Sequence, residues 1–344
     1  MKKFIAIMGD VAVSVGCCIG VGFLSGKEAQ VFFGNIFNVV LFAVAFFIIN
    51  TVLREYCRLN NCPTVDKLSG SLFGKASKVF NVGIALCCFV CIVTVLAGVE
   101  ECLSKLFYLS KLPLYGFVTA LIAALLLQKD MKALKYANFV SIVMAIILIL
   151  VLLFTNNTEH VDNLQIPFHK PIIYALFSVT MSLGVTTQLA DESKRQRNVI
   201  SSILSSIILA LLMIAVLPLC TLNDDLPTLS NITHPLLLAY AIITLLLAAV
   251  TGITANAYPI VQELKSVVDD NTVCKALIFG LALAFSMFGF DFAVKFGYML
   301  VSAFGVVIFI LTIYKLLKNK FNVKNTGKKY SKFNKKLNTL CKKQ

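Results

Sequence analysis

The sequence predicts an all-α integral membrane protein of ten transmembrane helices, arranged as two inverted repeats of five, with the first and sixth helices discontinuous. Three observations lead there. Of 344 residues, 58% are hydrophobic and 14% charged, with a mean hydropathy of +0.86, which is far too apolar for a soluble chain of this length. Ten apolar segments follow one another, parted by short polar or breaker-rich separators such as Asn60-Asn61-Cys62-Pro63. One segment in each half also carries glycines and hydroxyls near its middle, where a lipid-facing helix carries neither.

The first apolar segment, residues 4–33, contains Gly16-Cys17-Cys18-Ile19-Gly20-Val21-Gly22-Phe23-Leu24-Ser25-Gly26-Lys27-Glu28. Each of its glycines weakens an interior helical position by about 1 kcal/mol relative to Ala. A continuous helix from Phe4 to Phe33 would run roughly 45 Å, against a hydrocarbon core of roughly 30 Å. Two half-helices meeting at a bend account for the excess length and for the Lys27-Glu28 pair inside the run. Unwound backbone at membrane depth persists only where protein encloses it or a cavity adjoins it. A substrate site is therefore expected at Gly20, Val21, Gly22, Ser25 and Gly26. The alternative is a continuous helix in which Gly16 with Gly20, and Gly22 with Gly26, form close-packing seams.

The remaining segments fall at about 37–54, 77–104, 113–128, 133–154, 171–190, 198–220, 234–262, 273–292 and 295–317. In the 55–76 connection Val65, Leu68, Leu72 and Phe73 keep helical spacing, which predicts a short amphipathic helix on the membrane surface. The third span is interrupted by Thr94, Gly98, Glu100 and Glu101. Buried charges usually need partners, so Glu100 is expected to pair with Lys27. Coupling or gating would fall to Asp10, Lys27, Glu28 and Glu100.

Repeat one occupies 4–154 and repeat two 171–317, within a single transmembrane domain of residues 1–317 that is followed by a Lys-rich tail, 318–344. Five spans per half force the repeats into opposite orientation, and interrupted helices at corresponding positions point to a transporter site. The sixth span should then be broken as well. It sets Gly184 among Ser178, Thr180, Ser182, Thr186, Thr187 and Gln188, so substrate contacts are assigned to Thr180, Ser182, Gly184 and Thr186, with Thr94 from the third span. Hydroxyls that bond their own helix carbonyls would leave an intact polar helix instead. In the eighth span Thr251 and Thr254 share a face. Their oxygens suit a hard cation such as Na⁺, unless they serve only helix–helix hydrogen bonding.

The formal net charge of +14 reports topology, because no soluble domain exists to offer a nucleic-acid surface. With the N-terminus in the cytoplasm, 26 of the 31 Lys and Arg fall in cytoplasmic loops or the tail, while Lys105, Lys111, Lys170 and Lys295 lie outside. That asymmetry predicts both termini in the cytoplasm. Met1-Lys2-Lys3 leads into the first span without a small-residue cleavage site, so an uncleaved N-terminus is expected. The tail alternates Lys with Asn, Ser and isolated aromatics, a composition for disorder and for attraction to anionic lipid headgroups. Most of the 11 Cys lie in apolar helix, where Cys acts as a small hydrophobe, and the three His do not cluster. No enzyme and no resident cofactor is expected.

Gly-Val-Gly-Phe-Leu-Ser-Gly-Lys-Glu at 20–28, followed by Phe32-Phe33-Gly34, resembles the bacterial YkvI-type membrane proteins of the amino acid–polyamine–cation superfamily, whose fold is LeuT-like. The resemblance runs to about residue 317 and implies discontinuous first and sixth helices around a central substrate site. It also implies, from sodium-coupled relatives, a Na⁺ site of carbonyls near Cys17 and Gly20 with hydroxyls of Thr251 and Thr254. Those relatives carry two adjacent hydroxyl residues in the eighth span, where Ile253-Thr254-Ala255 has one. The expected function is secondary transport of a small amino acid or related zwitterion in a bacterial cell membrane, with coupling to Na⁺ or H⁺. A ligand sensor on the same scaffold is the alternative.

The charge asymmetry makes a direct prediction. A single Cys at Asn223, in a Cys-less background, should react with an impermeant thiol reagent in intact cells. Labelling only after permeabilisation would reverse the topology.

Overall fold

The computed structural model describes residues 2–107, 114–127, 131–155, 166–191, 194–220, 228–229, 232, 234–264 and 270–318. The expected tail beyond residue 318, the Asn156–Thr158 separator and the loop at Asn223 lie outside the described residues.

The chain is all-helical over these segments. The first apolar run makes three pieces: α1 (Lys2–Gly16), α2 (Val21–Leu24) and α3 (Lys27–Phe32). Then come α4 (Ile36–Leu59), α5 (Val65–Phe73), α6 (Ser77–Leu106), α7 (Leu114–Leu126) and α8 (Met131–Thr155). The second half holds α9 (His169–Met181), α10 (Leu183–Asp191), α11 (Arg195–Val216), α12 (Pro235–Leu264) and α13 (Asn271–Ser286). The last helix, α14 (Phe290–Lys318), contains a π-helical turn at Ala293–Gly297.

Local chemistry sets several of these starts. Side-chain oxygens of Asn35, Thr64 and Asp270 accept the N–H groups of Asn38, Lys67 and Thr272, satisfying donors that the first helical turn leaves unpaired. That bond holds the exposed Asp270 carboxyl below its usual range.

By length and composition, six helices among the described residues can cross a membrane, and α9 with α10, bent by 66°, makes a seventh if the pair is one span. Phe4–Gly16, Leu114–Leu126 and Thr272–Ser286 are shorter apolar helices. The abundant exposed Leu, Ile, Val and Phe on the outer faces, such as Phe37, Leu121 and Ile243, would be costly in water and are the expected surface against lipid. This is a multi-pass membrane protein.

Inside, α4 packs on α9 and α11, α12 on α6, α7 and α8, and α1 on α8 and α11. The apolar positions of α5 depart from expectation: Val65, Leu68 and Leu72 are buried, and the helix packs on α6 and α10. Protein, not lipid, covers its apolar face.

Candidate functional site

The first span breaks twice. Helix α1 stops at Gly16, the chain runs extended at Gly20 (φ −106°, ψ −171°), and α2 lasts only from Val21 to Leu24. A second turn follows at Ser25-Gly26, where Gly26 takes φ 81°, a left-handed value that disfavours any residue with a Cβ. The sequence marked this stretch as one bend, and the structure makes it two because Gly26 turns the chain again before α3.

That second turn separates the two charges of the Lys-Glu pair. Lys27 Nζ lies 2.9 Å from Asp291 Oδ1 in the first turn of α14. Glu28 turns inward and is 3% exposed. Its Oε2 accepts the hydroxyl proton of Tyr174 in α9, and its Oε1 accepts that of Tyr298 in α14. Phe32 stacks on Tyr298 with ring centroids 5.7 Å apart and tilts against Tyr174 at 5.2 Å, while Phe177 stacks on Tyr298 at 3.6 Å. Among the described residues no Lys, Arg or His pairs with Glu28. A carboxylate enclosed by aromatic rings, with two neutral donors and no cation, is an incomplete electrostatic arrangement.

Backbone approaches this carboxylate closely. A Cβ on Gly22 would stand 2.5 Å from Glu28 Oε1 and 2.9 Å from its Cγ. Because both tyrosines hold the carboxylate, the side chain has little freedom to retreat. The carbonyls of the second turn are closed off by the segment before α12: Thr228 donates its N–H to Ser25 O at 3.2 Å and its hydroxyl to Leu24 O, and the Cys220 thiol donates to Gly26 O. Ser25 itself donates to Gly22 O at 3.2 Å.

The other assigned residues scatter around this centre. Val21 and Gly98 meet where α2 crosses α6, since a Cβ on Gly98 would stand 2.9 Å from Val21 and from Phe290. Thr94 bonds Val90 O and faces Gly297 in the π-helical turn. Ser182 sits at the bend between α9 and α10, where its carbonyl accepts the N–H groups of Val185 and Thr186. The Thr186 hydroxyl donates to that of Ser182 at 3.2 Å. Gly184 admits Pro259 of α12, which a Cβ would meet at 2.7 Å. Thr180 turns away from Glu28: it abuts Gly305 and lines a small apolar cavity between α4, α9 and α14.

At the first break, the Cys17 side chain packs in an apolar group with Val13, Leu134, Val185, Leu189 and Ala255. Thr251 and Thr254 donate to Ala248 O at 3.0 Å and Val250 O at 2.6 Å, leaving oxygen lone pairs unspent. Asn138 of α8, wholly buried, presses its amide on Gly16 with both polar atoms unpaired.

Two electrostatic expectations are corrected or refined. Glu100 does not pair with Lys27, because Lys27 is taken by Asp291. It faces Ser286 of α13 at 3.2 Å and the backbone of Gly116 in α7. Asp10 is held by Arg197 through both carboxylate oxygens, at 2.6 and 2.7 Å.

Sequence reasoning missed Tyr174, Tyr298, Asp291 and Asn138. Tyr298 and Asp291 carry no local signal, since an isolated Tyr or Asp in an apolar run has no periodicity to mark it. The polar sixth span was the one place where Tyr174 was within reach.

No protein-family model matches the chain, and no curated protein does. Solved structures do match in fold. MhsT, crystallised in complex with L-phenylalanine, superposes with a TM-score of 0.66 at 14% identity, covering 88% of this chain and 87% of that one. The inward-facing conformation of Mhp1 gives 0.53 at 13% identity, over 88% and 75%. A manganese transporter of Eremococcus coleocola, in complex with an aromatic bis-isothiourea substituted compound, gives 0.51 at 12% identity, over 89% and 76%. At such identities the likeness establishes the fold, which is that of the LeuT-fold transporters.

The contact between Gly22 and Glu28 makes a prediction. Gly22→Leu should insert in the membrane at wild-type levels but lose ligand binding and uptake, measured by thermal shift and by cell uptake of the same solute. Wild-type uptake would reduce the glycines to a packing seam.

Proposed function

We propose that this protein is a secondary active transporter of a small amino acid or a related zwitterionic solute, working by alternating access in a bacterial cell membrane. The carrying observation is the doubly broken first helix, which brings backbone and the uncompensated Glu28 carboxylate together between α9 and α14. The transporter fold supports this reading, and so does the L-phenylalanine bound to MhsT. In it the chain spans the bilayer ten times as a 5+5 inverted repeat, with α1 to α3 as the first span and α9 with α10 as the sixth. Both termini are cytoplasmic, and the basic tail rests near anionic headgroups. Half-helix ends at the breaks attract the charged groups of a zwitterion without further fixed charge, and Glu28 supplies the negative site for an ammonium group or a coupling proton.

Coupling to Na⁺ or H⁺ completes the proposal. Carbonyls near Cys17 and Gly20, with the hydroxyl oxygens of Thr251 and Thr254, form an all-oxygen set suited to a monovalent ion. The unpaired Asn138 amide, packed on Gly16 at the same break, supports a polar ligand there. By linkage Na⁺ and substrate would each tighten the other's binding by the same factor.

Purified protein in liposomes tests the whole reading. Saturable, gradient-driven accumulation of an amino acid is expected, whereas specific binding without flux would make the protein a ligand sensor. Thr254→Ala should weaken Na⁺ dependence about tenfold while Thr254→Ser preserves it. Equal substrate affinity in Na⁺, K⁺ and choline would remove the sodium site. Separately, Glu28→Gln keeps the shape but not the charge, and should lower affinity for the amine-bearing solute at least about tenfold. Unchanged affinity and unchanged pH dependence would take Glu28 out of both roles.

A further inference from the structure

A second polar cluster lies at the other end of the first span, where α1, α4 and α11 meet. Arg54 of α4 is wholly buried there. Its guanidinium donates to three neutral oxygens: Asn50 Oδ1 at 3.2 Å, Ser201 Oγ at 2.6 Å and Ser14 Oγ at 2.5 Å. The adjacent carboxylate, Asp10, has both oxygens engaged by Arg197. Among the described residues the Arg54 guanidinium thus meets neutral oxygens alone, while both Asp10 oxygens are spent on Arg197. An uncompensated charge away from water is expensive.

The same two helices, α4 and α11, hold buried polar groups without partners. Asn50 Nδ2, Thr51 Oγ1, Ser202 Oγ and Ser205 Oγ are all buried and unpaired. Native interiors leave few such atoms, and several together call for a ligand. Register brings them together. The helices α4 and α11 pack on each other, and Ser201 faces Arg54. Ser205 lies about one turn along α11 from Ser201, on the same face, and Asn50 lies one turn from Arg54 on α4. Neighbouring hydroxyls behave differently: Ser201 and Ser206 donate to carbonyls of their own helix, at Asn198 and Ile203. Ser202 and Ser205 keep their protons available. What converges is a positive charge, an amide N–H and a hydroxyl donor, with no carboxylate bonded to Arg54 among the described residues.

We infer that this cluster between α1, α4 and α11 binds a small monovalent inorganic anion such as chloride. The anion neutralises Arg54 and takes hydrogen bonds from Asn50 and Ser205. It thereby ties the first half of the broken span to two helices of the frame.

The test uses the purified full chain in detergent, unfolded thermally in sodium gluconate while NaCl replaces it at constant ionic strength and constant Na⁺. The expected result is a saturable rise in Tm with chloride, matched by bromide, because an anion bound only to the folded state stabilises it by mass action. Ser205→Ala, which removes one donor and little volume, should weaken the apparent chloride affinity about tenfold. Arg54→Gln should abolish the response, and Ser205→Ala keeps the test readable if that variant does not fold. A Tm equal in gluconate and chloride throughout would overturn the proposal and leave the cluster hydrated by water alone. A chloride response unaltered in the Ser205→Ala variant would overturn it equally, by placing the anion elsewhere. Neither result bears on the Glu28 site, which is judged by amine affinity.

Discussion

Every departure from helix within a membrane leaves N–H and C=O groups that lipid cannot satisfy, and the structure is arranged around two such departures in its first span. Free polar groups in hydrocarbon cost several kcal/mol each, so the breaks at 17–20 and at 25–26 can exist only because other elements reach them. At the second break Thr228, Cys220 and Ser25 take up carbonyls of Gly22 to Gly26. At the first, the Cys18 thiol donates to Ser14 O, and α8 presses Asn138 against Gly16. Cys220 after α11 and Thr228 before α12 thus close backbone that the second break exposes.

Charge follows the same geometry. One end of the broken span carries Lys27 with Asp291, and the other carries Asp10 with Arg197. Between these pairs sit two buried groups, Glu28 and Arg54, whose hydrogen-bond partners are neutral. Ion pairs lock elements in register, whereas a buried charge bonded only to neutral groups leaves room for a ligand to supply the balance. The pairs thus hold the frame, and it is at the lone charges that the two proposals place a solute and an anion.

Small residues decide which surfaces come close enough for this. Gly184 admits Pro259, Gly305 admits Thr180, and Gly116 admits the Glu100 carboxylate. Without a hydrophobic drive between helices in lipid, such close packing is a principal source of association. Of the residues assigned to substrate, Gly22 lies against Glu28, while Gly184 and Thr180 pack against Pro259 and Gly305.

The sequence by itself determined the solvent this protein lives in, the helical class and the place where the first helix fails. Those are local properties: hydropathy averages over a span, and four glycines with a Lys-Glu pair are visible without knowing any neighbour. The bend between α9 and α10 falls in the stretch where the sequence sets Gly184 among hydroxyls. What only the tertiary structure decided was which charge meets which. Glu28 accepts from Tyr174 and Tyr298, and Lys27 turns to Asp291 and not to Glu100. Those partners are separated from the first span by more than a hundred residues. In a uniformly apolar background a single polar residue has many possible mates, and only the packing of α3 against α9 and α14, set by the left-handed turn at Gly26, selects one.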